Sequence, residues 1–300
     1  MRMKLKLNDL TVFTFLLIYT VYQIYLTFLG GATYDLFEQW LGAGYIFEKL
    51  QAYKNLEFTN VIFDQELNTY DFFGYFFMFP AYVFERIINK VSYGILNEPL
   101  NSIATIFLDE DGLTFFSLHL FLIIYSLVCL IIIYKKIENI YNKKLSLLFL
   151  FILLCIPSFS GHLIFNIKDI PFLFQLFIAK LFIYDYMVND LDNLKYKETA
   201  FLGFLIAASM SIRINALLFI LFFLFYLLLI TGNKKKYCIN IIKIFTFSTL
   251  FLLAMNPQSW KDHPYFGFFQ VWTFSLITHG QGTLLQMVNI SMLKTCKERI

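Results

Sequence analysis

Between Glu198 and Lys234 the chain carries a single charged residue, Arg213. The two flanking stretches, 198–213 and 214–231, are apolar almost throughout. A helix of about 18 or more such residues suits the hydrocarbon core of a bilayer, where every backbone N–H and C=O must be paired inside the segment. Comparable stretches recur at 10–30, 114–134, 145–160, 170–188 and 238–256. The pattern predicts an all-α, polytopic membrane protein with about seven transmembrane helices. Composition agrees, because 15% charged residues falls short of the roughly 25% that a soluble surface needs.

A further apolar segment, 70–91, is interrupted by Pro80 and bounded by Asp71 on one side and Glu85, Arg86 and Lys90 on the other. Charge bias decides its place. Lys and Arg near helix ends favour the cytoplasm, and the basic clusters are Arg2/Lys4/Lys6, Lys135/Lys136/Lys143/Lys144 and Lys234/Lys235/Lys236. All three fall on one side only if 70–91 does not cross, so it is predicted to be a juxtamembrane or re-entrant helix. The outer face then holds a long first loop, 31–113, the turn 161–169, the hairpin tip near Arg213 and the tail 257–300. Residues 1–256 form the expected transmembrane module. The tail, with its polar ending, is expected to be an incomplete C-terminal region. The first apolar stretch is too long for a cleaved leader and is read as a retained signal anchor.

Several chemistries find no support. A net charge of +3 makes no case for nucleic acid. Cys129, Cys155, Cys238 and Cys296 share no redox or metal spacing, and the four histidines form no HExxH. P-loop, GxGxxG and GxSxG motifs are missing, so nucleotide-dependent chemistry is not expected.

Chemistry concentrates in Gly161-His162-x-x-x-Asn166-x-Lys168-Asp169-x-Pro171-Phe172. Ionisable groups at a membrane boundary are costly unless paired or hydrated, and so they often mark a site; a plain polar turn capping the following helix is the simpler alternative. This motif resembles a segment of the GT-C glycosyltransferases of the protein mannosyltransferase-like and ArnT-like kind. The resemblance extends in order to Thr33-Tyr34-Asp35, Tyr70-Asp71-Phe72-Phe73-Gly74, Gly203 through Arg213, and Asn256-Pro257 with Trp260.

The resemblance implies transfer of a hexosyl or pentosyl group from a polyprenyl-phosphate sugar donor to a glycan, lipid or protein acceptor. Transfer would take place on the outer face of an inner or plasma membrane. It implies that Asp35 is the general base toward the acceptor hydroxyl, with Glu38 a second acid. Lys168 and Arg213 are candidates for the donor phosphate, because a leaving phosphate gains charge that a fixed cation stabilises. Asp169 could orient Lys168, position the sugar or hold a divalent metal, while His162 and Asn166 would support the site. No cofactor is otherwise expected. Two alternatives stay open: a secondary transporter working through Lys168 and Asp169, although no two similar halves are visible, and a non-catalytic truncated paralogue.

Overall fold

The computed structural model describes residues 7–27, 75–97, 116–189, 194–231 and 233–255. Nine α-helices occupy them, and no strand is found among the described residues. In chain order these are α1 (Leu7–Thr27), α2 (Tyr75–Leu96), α3 (Phe116–Ile140), α4 (Lys143–Cys155), α5 (Pro157–Phe165), α6 (Asp169–Tyr184), α7 (Tyr196–Ile212), α8 (Ala216–Ile230) and α9 (Lys234–Met255). A π-helical turn, Asp185–Asn189, prolongs α6. Among the described residues three segments are long and apolar enough to cross a membrane: Phe116–Ile140, Asp169–Val188 and Lys234–Met255. The outward faces of the bundle carry large apolar side chains, among them Leu147, Phe151, Phe222, Phe225 and Ile242. Water would reject such a surface and lipid accepts it.

Helix starts are set by side chains that satisfy the first free N–H groups. Asn142 Oδ1 accepts from Leu145 N at 2.9 Å to start α4. Glu198 Oε2 accepts from Lys195 N at 2.7 Å to start α7. Asn233 Oδ1 accepts from Lys236 N at 3.2 Å to start α9.

Two ion pairs define the opposite ends of the bundle. Lys136 near the end of α3 pairs with Asp185 just past α6, and at the same end Tyr141 stacks on Tyr184, ring centroids 6.4 Å apart. Asp169 at the start of α6 pairs with Arg213 just past α7. The two acids of these pairs are separated by the length of α6, about 24 Å at 1.5 Å per residue. Lys135, Lys136, Lys143, Lys144 and Lys234 to Lys236 therefore all belong to one end. The turns 166–168 and 213–215 belong to the other. That alternation is what the charge bias predicts.

One expected span is not a single helix. The stretch 145–160 breaks at Ile156, which is extended (φ −75°, ψ 112°) before Pro157 at the first position of α5. Proline has no N–H to donate and its ring pushes the preceding residue out of the helical region. Because α5 runs on to Phe165, the expected turn 161–169 shortens to 166–168, and His162 belongs to a helix.

Helix α2 begins deep and climbs. Phe77 meets Phe121 and Tyr125 of α3, at 5.3 and 5.1 Å between ring centroids, while Phe84 higher up meets Phe121 at 5.3 Å. Phe76 meets Phe204 in the middle of α7 at 5.8 Å. Its apolar half thus lies among the spanning helices. The half with Glu85, Arg86 and Lys90 runs toward the end where α3 starts.

Helices α7 and α9 approach backbone to backbone at Gly203. A Cβ on Gly203 would stand 2.6 Å from Phe247 Cβ, 2.8 Å from Ser248 N and 2.9 Å from Ile244 O. With lipid as solvent, close backbone approach through small residues is a main source of helix association. Ala207, Ala208 and Ser211 extend the small-residue content of α7 and are all buried.

Candidate functional site

The polar groups at the end of the bundle opposite the lysine clusters converge on the turn 166–168. The backbone N–H groups of Lys168 and Asp169 both donate to Asn166 Oδ1, at 3.2 and 2.7 Å. Asn166 thus closes an Asx-type cap on α6, a geometry its short amide side chain favours. The same side chain donates from Nδ2 to Asp169 Oδ2 at 2.9 Å. His162 Nδ1 lies 3.4 Å from that Nδ2.

Asp169 spends its other oxygen on Arg213. Oδ1 accepts from Nη2 of the guanidinium, so each carboxylate oxygen has a separate partner. Arg213 terminates α7: it is extended (φ −148°, ψ 123°), and its N–H donates to Ser209 O. The side chain leaves the helix end toward α6 as a result. Arg213 Nε is buried without a hydrogen-bond partner among the described residues, whereas the Asp169 side chain is 51% exposed. The Arg213 side chain is 28% exposed, and its partner carboxylate faces the medium.

The structure therefore brings together four of the expected site residues, His162, Asn166, Asp169 and Arg213. Lys168 lies in the same turn, half-buried. Asp169 is tied to Arg213, a pairing that the spacing does not reveal. Asp35 and Glu38 lie outside the described residues, as do Asn256, Pro257 and Trp260. Among the described residues no three His, Cys, Asp or Glu side chains converge as metal ligands.

A second polar group escaped the sequence reading. Gln23 on α1 and Ser126 on α3 line one crevice inside the apolar bundle, and both are buried. An amide in the middle of an apolar stretch is the signal that could have found them.

No curated protein and no solved structure matches this chain. Residues 101–260, more than half of the chain, match the family described as dolichyl-phosphate-mannose-protein mannosyltransferase. The matched region covers α3 to α9 and includes the whole Asn166–Asp169–Arg213 network. The chain belongs to this family and is a membrane glycosyltransferase of the GT-C type.

Proposed function

We propose that this protein transfers a sugar from a polyprenyl-phosphate donor to an acceptor hydroxyl at the outer face of a cell membrane. The acceptor oxygen bonds to the anomeric carbon while the bond from that carbon to the donor's phosphate oxygen breaks. The electron pair leaves with the lipid phosphate, and the acceptor's proton passes to a carboxylate. Asp35 fills that last role in this reading, with Glu38 beside it in the chain. Positioned carboxylates of this kind speed such steps by about a hundredfold to ten-thousandfold.

The observation that supports the reading most is the ion pair at the non-lysine end of the bundle. Asp169 holds a partly exposed Arg213 in place, and Lys168 is in the turn beside Asp169. Two cations there suit the charge that builds on a departing phosphate. The lysine-rich end supports this sidedness, because Lys and Arg near helix ends favour the cytoplasm.

The test is donor binding by the purified chain in lipid nanodiscs, with a polyprenyl-phosphate sugar as probe. Replacing Lys168 or Arg213 by Ala removes one charge-assisted contact, worth about 1.5–3 kcal/mol. Affinity should fall roughly tenfold to a hundredfold. Unchanged binding in both variants returns the two residues to structural roles.

A further inference from the structure

A crevice between α1, α3 and α5 is lined by Tyr19, Thr20, Gln23, Ser126, Leu130 and Leu163, among others. Most of its wall is hydrocarbon. Gln23 and Ser126, 2% and 3% exposed, are its polar lining residues together with Tyr19 and Thr20. Neither amide atom of Gln23, nor the Ser126 oxygen, has a hydrogen-bond partner among the described residues.

The neighbouring hydroxyls cannot meet that need by donating. Tyr19, one turn before Gln23, gives its hydrogen to Ser160 Oγ at 2.9 Å, and Ser160 in turn donates to Leu154 O at 2.7 Å. Thr20 donates to Leu16 O at 2.7 Å. These oxygens keep lone pairs only. The Tyr19 lone pair can take one N–H of the Gln23 amide, but a dry crevice would still leave the amide oxygen and the Ser126 hydroxyl unmet in apolar surroundings.

Shape and charge narrow the occupant. The lining residues carry no formal charge, so an ion gains nothing there. An acyl chain would fit the walls and leave the amide unpaired. The free space is about that of one water, and buried waters typically make about three hydrogen bonds to groups of this kind.

We infer that the crevice is a water-binding site. One ordered water bridges Gln23 and Ser126 and joins α1 to α3 inside the membrane. It accepts from the Gln23 amide and donates to the Ser126 oxygen or the Gln23 carbonyl. The helix it fixes is the one after which the chain continues to Asp35.

The test is X-ray radiolytic labelling with mass spectrometry, run on the full chain in nanodiscs after rapid mixing with ¹⁸O-water. Hydroxyl radicals made at a bound water label the side chains around it even where bulk solvent is excluded. Leu130 and Leu163, each 2% exposed, should take up label. Leu202 and Ile206, at least as buried but away from the crevice, should not. The double variant Gln23→Leu, Ser126→Ala should lose the label at Leu130 and Leu163 and retain it elsewhere. If that variant does not insert, Ser126→Ala alone should lower it. Labelling of Leu130 and Leu163 no greater than that of Leu202 and Ile206 in the unaltered protein overturns the proposal. So does labelling that survives the substitutions, which would mark a crevice filled from the bulk.

Discussion

Asp169 Oδ1 and Arg213 Nη2 join two interhelical turns at one end of the bundle, while Asn166 Nδ2 occupies the other carboxylate oxygen. Asp169 is therefore a shared acceptor whose loss acts on both neighbours. In Asp169→Asn the charge partner of Arg213 disappears but the shape remains. The pair is partly exposed, so its contribution to folding is about 0.2–1 kcal/mol, or a few degrees at most in melting temperature. Transfer activity should fall much further than stability. A double-mutant cycle with Arg213→Ala checks this: coupling in activity should exceed coupling in stability.

Asn166 can be dissected by two substitutions. Asn166→Ala removes the acceptor for two N–H groups and should cost about 1 kcal/mol as a lost cap. Asn166→Asp retains that acceptor, deletes the donor to Asp169 and places a second negative charge beside it. Thermal unfolding should therefore distinguish the two, with Asp the milder change. Sugar transfer should suffer in both. Activity that follows stability in the two variants would leave Asn166 as a cap and nothing more.

The α7–α9 contact predicts a sharp contrast between glycines. Gly203→Ala places a methyl group under 3 Å from backbone atoms of α9, so the helices must part. Overpacking of this kind costs about 1–3 kcal/mol. Gly161 is also helical, with nothing within 4 Å of an added Cβ, and Gly161→Ala should stabilise by about 0.5–1 kcal/mol through backbone propensity. Melting temperatures of the two variants in one detergent should move in opposite directions.

How much of this could be read beforehand differs from residue to residue. The helical bundle and its alternation of ends were legible because charge is nearly excluded from spanning segments, so Arg213 and the lysine clusters stand out in the one-dimensional pattern. The break at Ile156 was written in Pro157, but the uninterrupted hydropathy of 145–160 concealed it. Asn166, Lys168 and Asp169 were visible as a polar cluster. The bond from Asp169 to Arg213 was not, because no periodicity links two turns separated by two helices and the loop between them. Gly203 could be recognised as part of a motif, yet its reason, the approach of Ser248 and Ile244, belongs to packing between segments distant in sequence.

The disposition of the ends in the membrane can be tested directly. An impermeant thiol reagent applied to intact cells should label a cysteine placed at Asn60 in the first loop, in a background without the native cysteines. It should leave one at Asn139, beside the lysine-rich end, unmodified until the membrane is opened. Labelling at position 139 alone would invert the arrangement and remove the basis for an outward-facing site.

In the proposed function the general base is Asp35, eight residues beyond Thr27, the end of α1. Since α1 starts near the lysine-rich end and finishes at the other, the chain leaves it on the side of Asp169 and Arg213. There an acceptor arriving from water could meet a donor held in lipid. Asp35→Asn retains shape and hydrogen bonding and removes the proton acceptor. Loss of a general base costs about a hundredfold to ten-thousandfold in rate, whereas loss of a helix cap costs about 1 kcal/mol in stability. The variant should insert normally and bind the polyprenyl-phosphate donor with unaltered affinity, because Lys168 and Arg213 are intact, yet transfer almost nothing. Glu38→Gln alongside it should lose far less. Near-normal transfer by Asp35→Asn, with donor binding preserved, would move the base to Glu38 or to Asp169. In the second case breaking the Asp169–Arg213 pair would abolish transfer by removing the base itself.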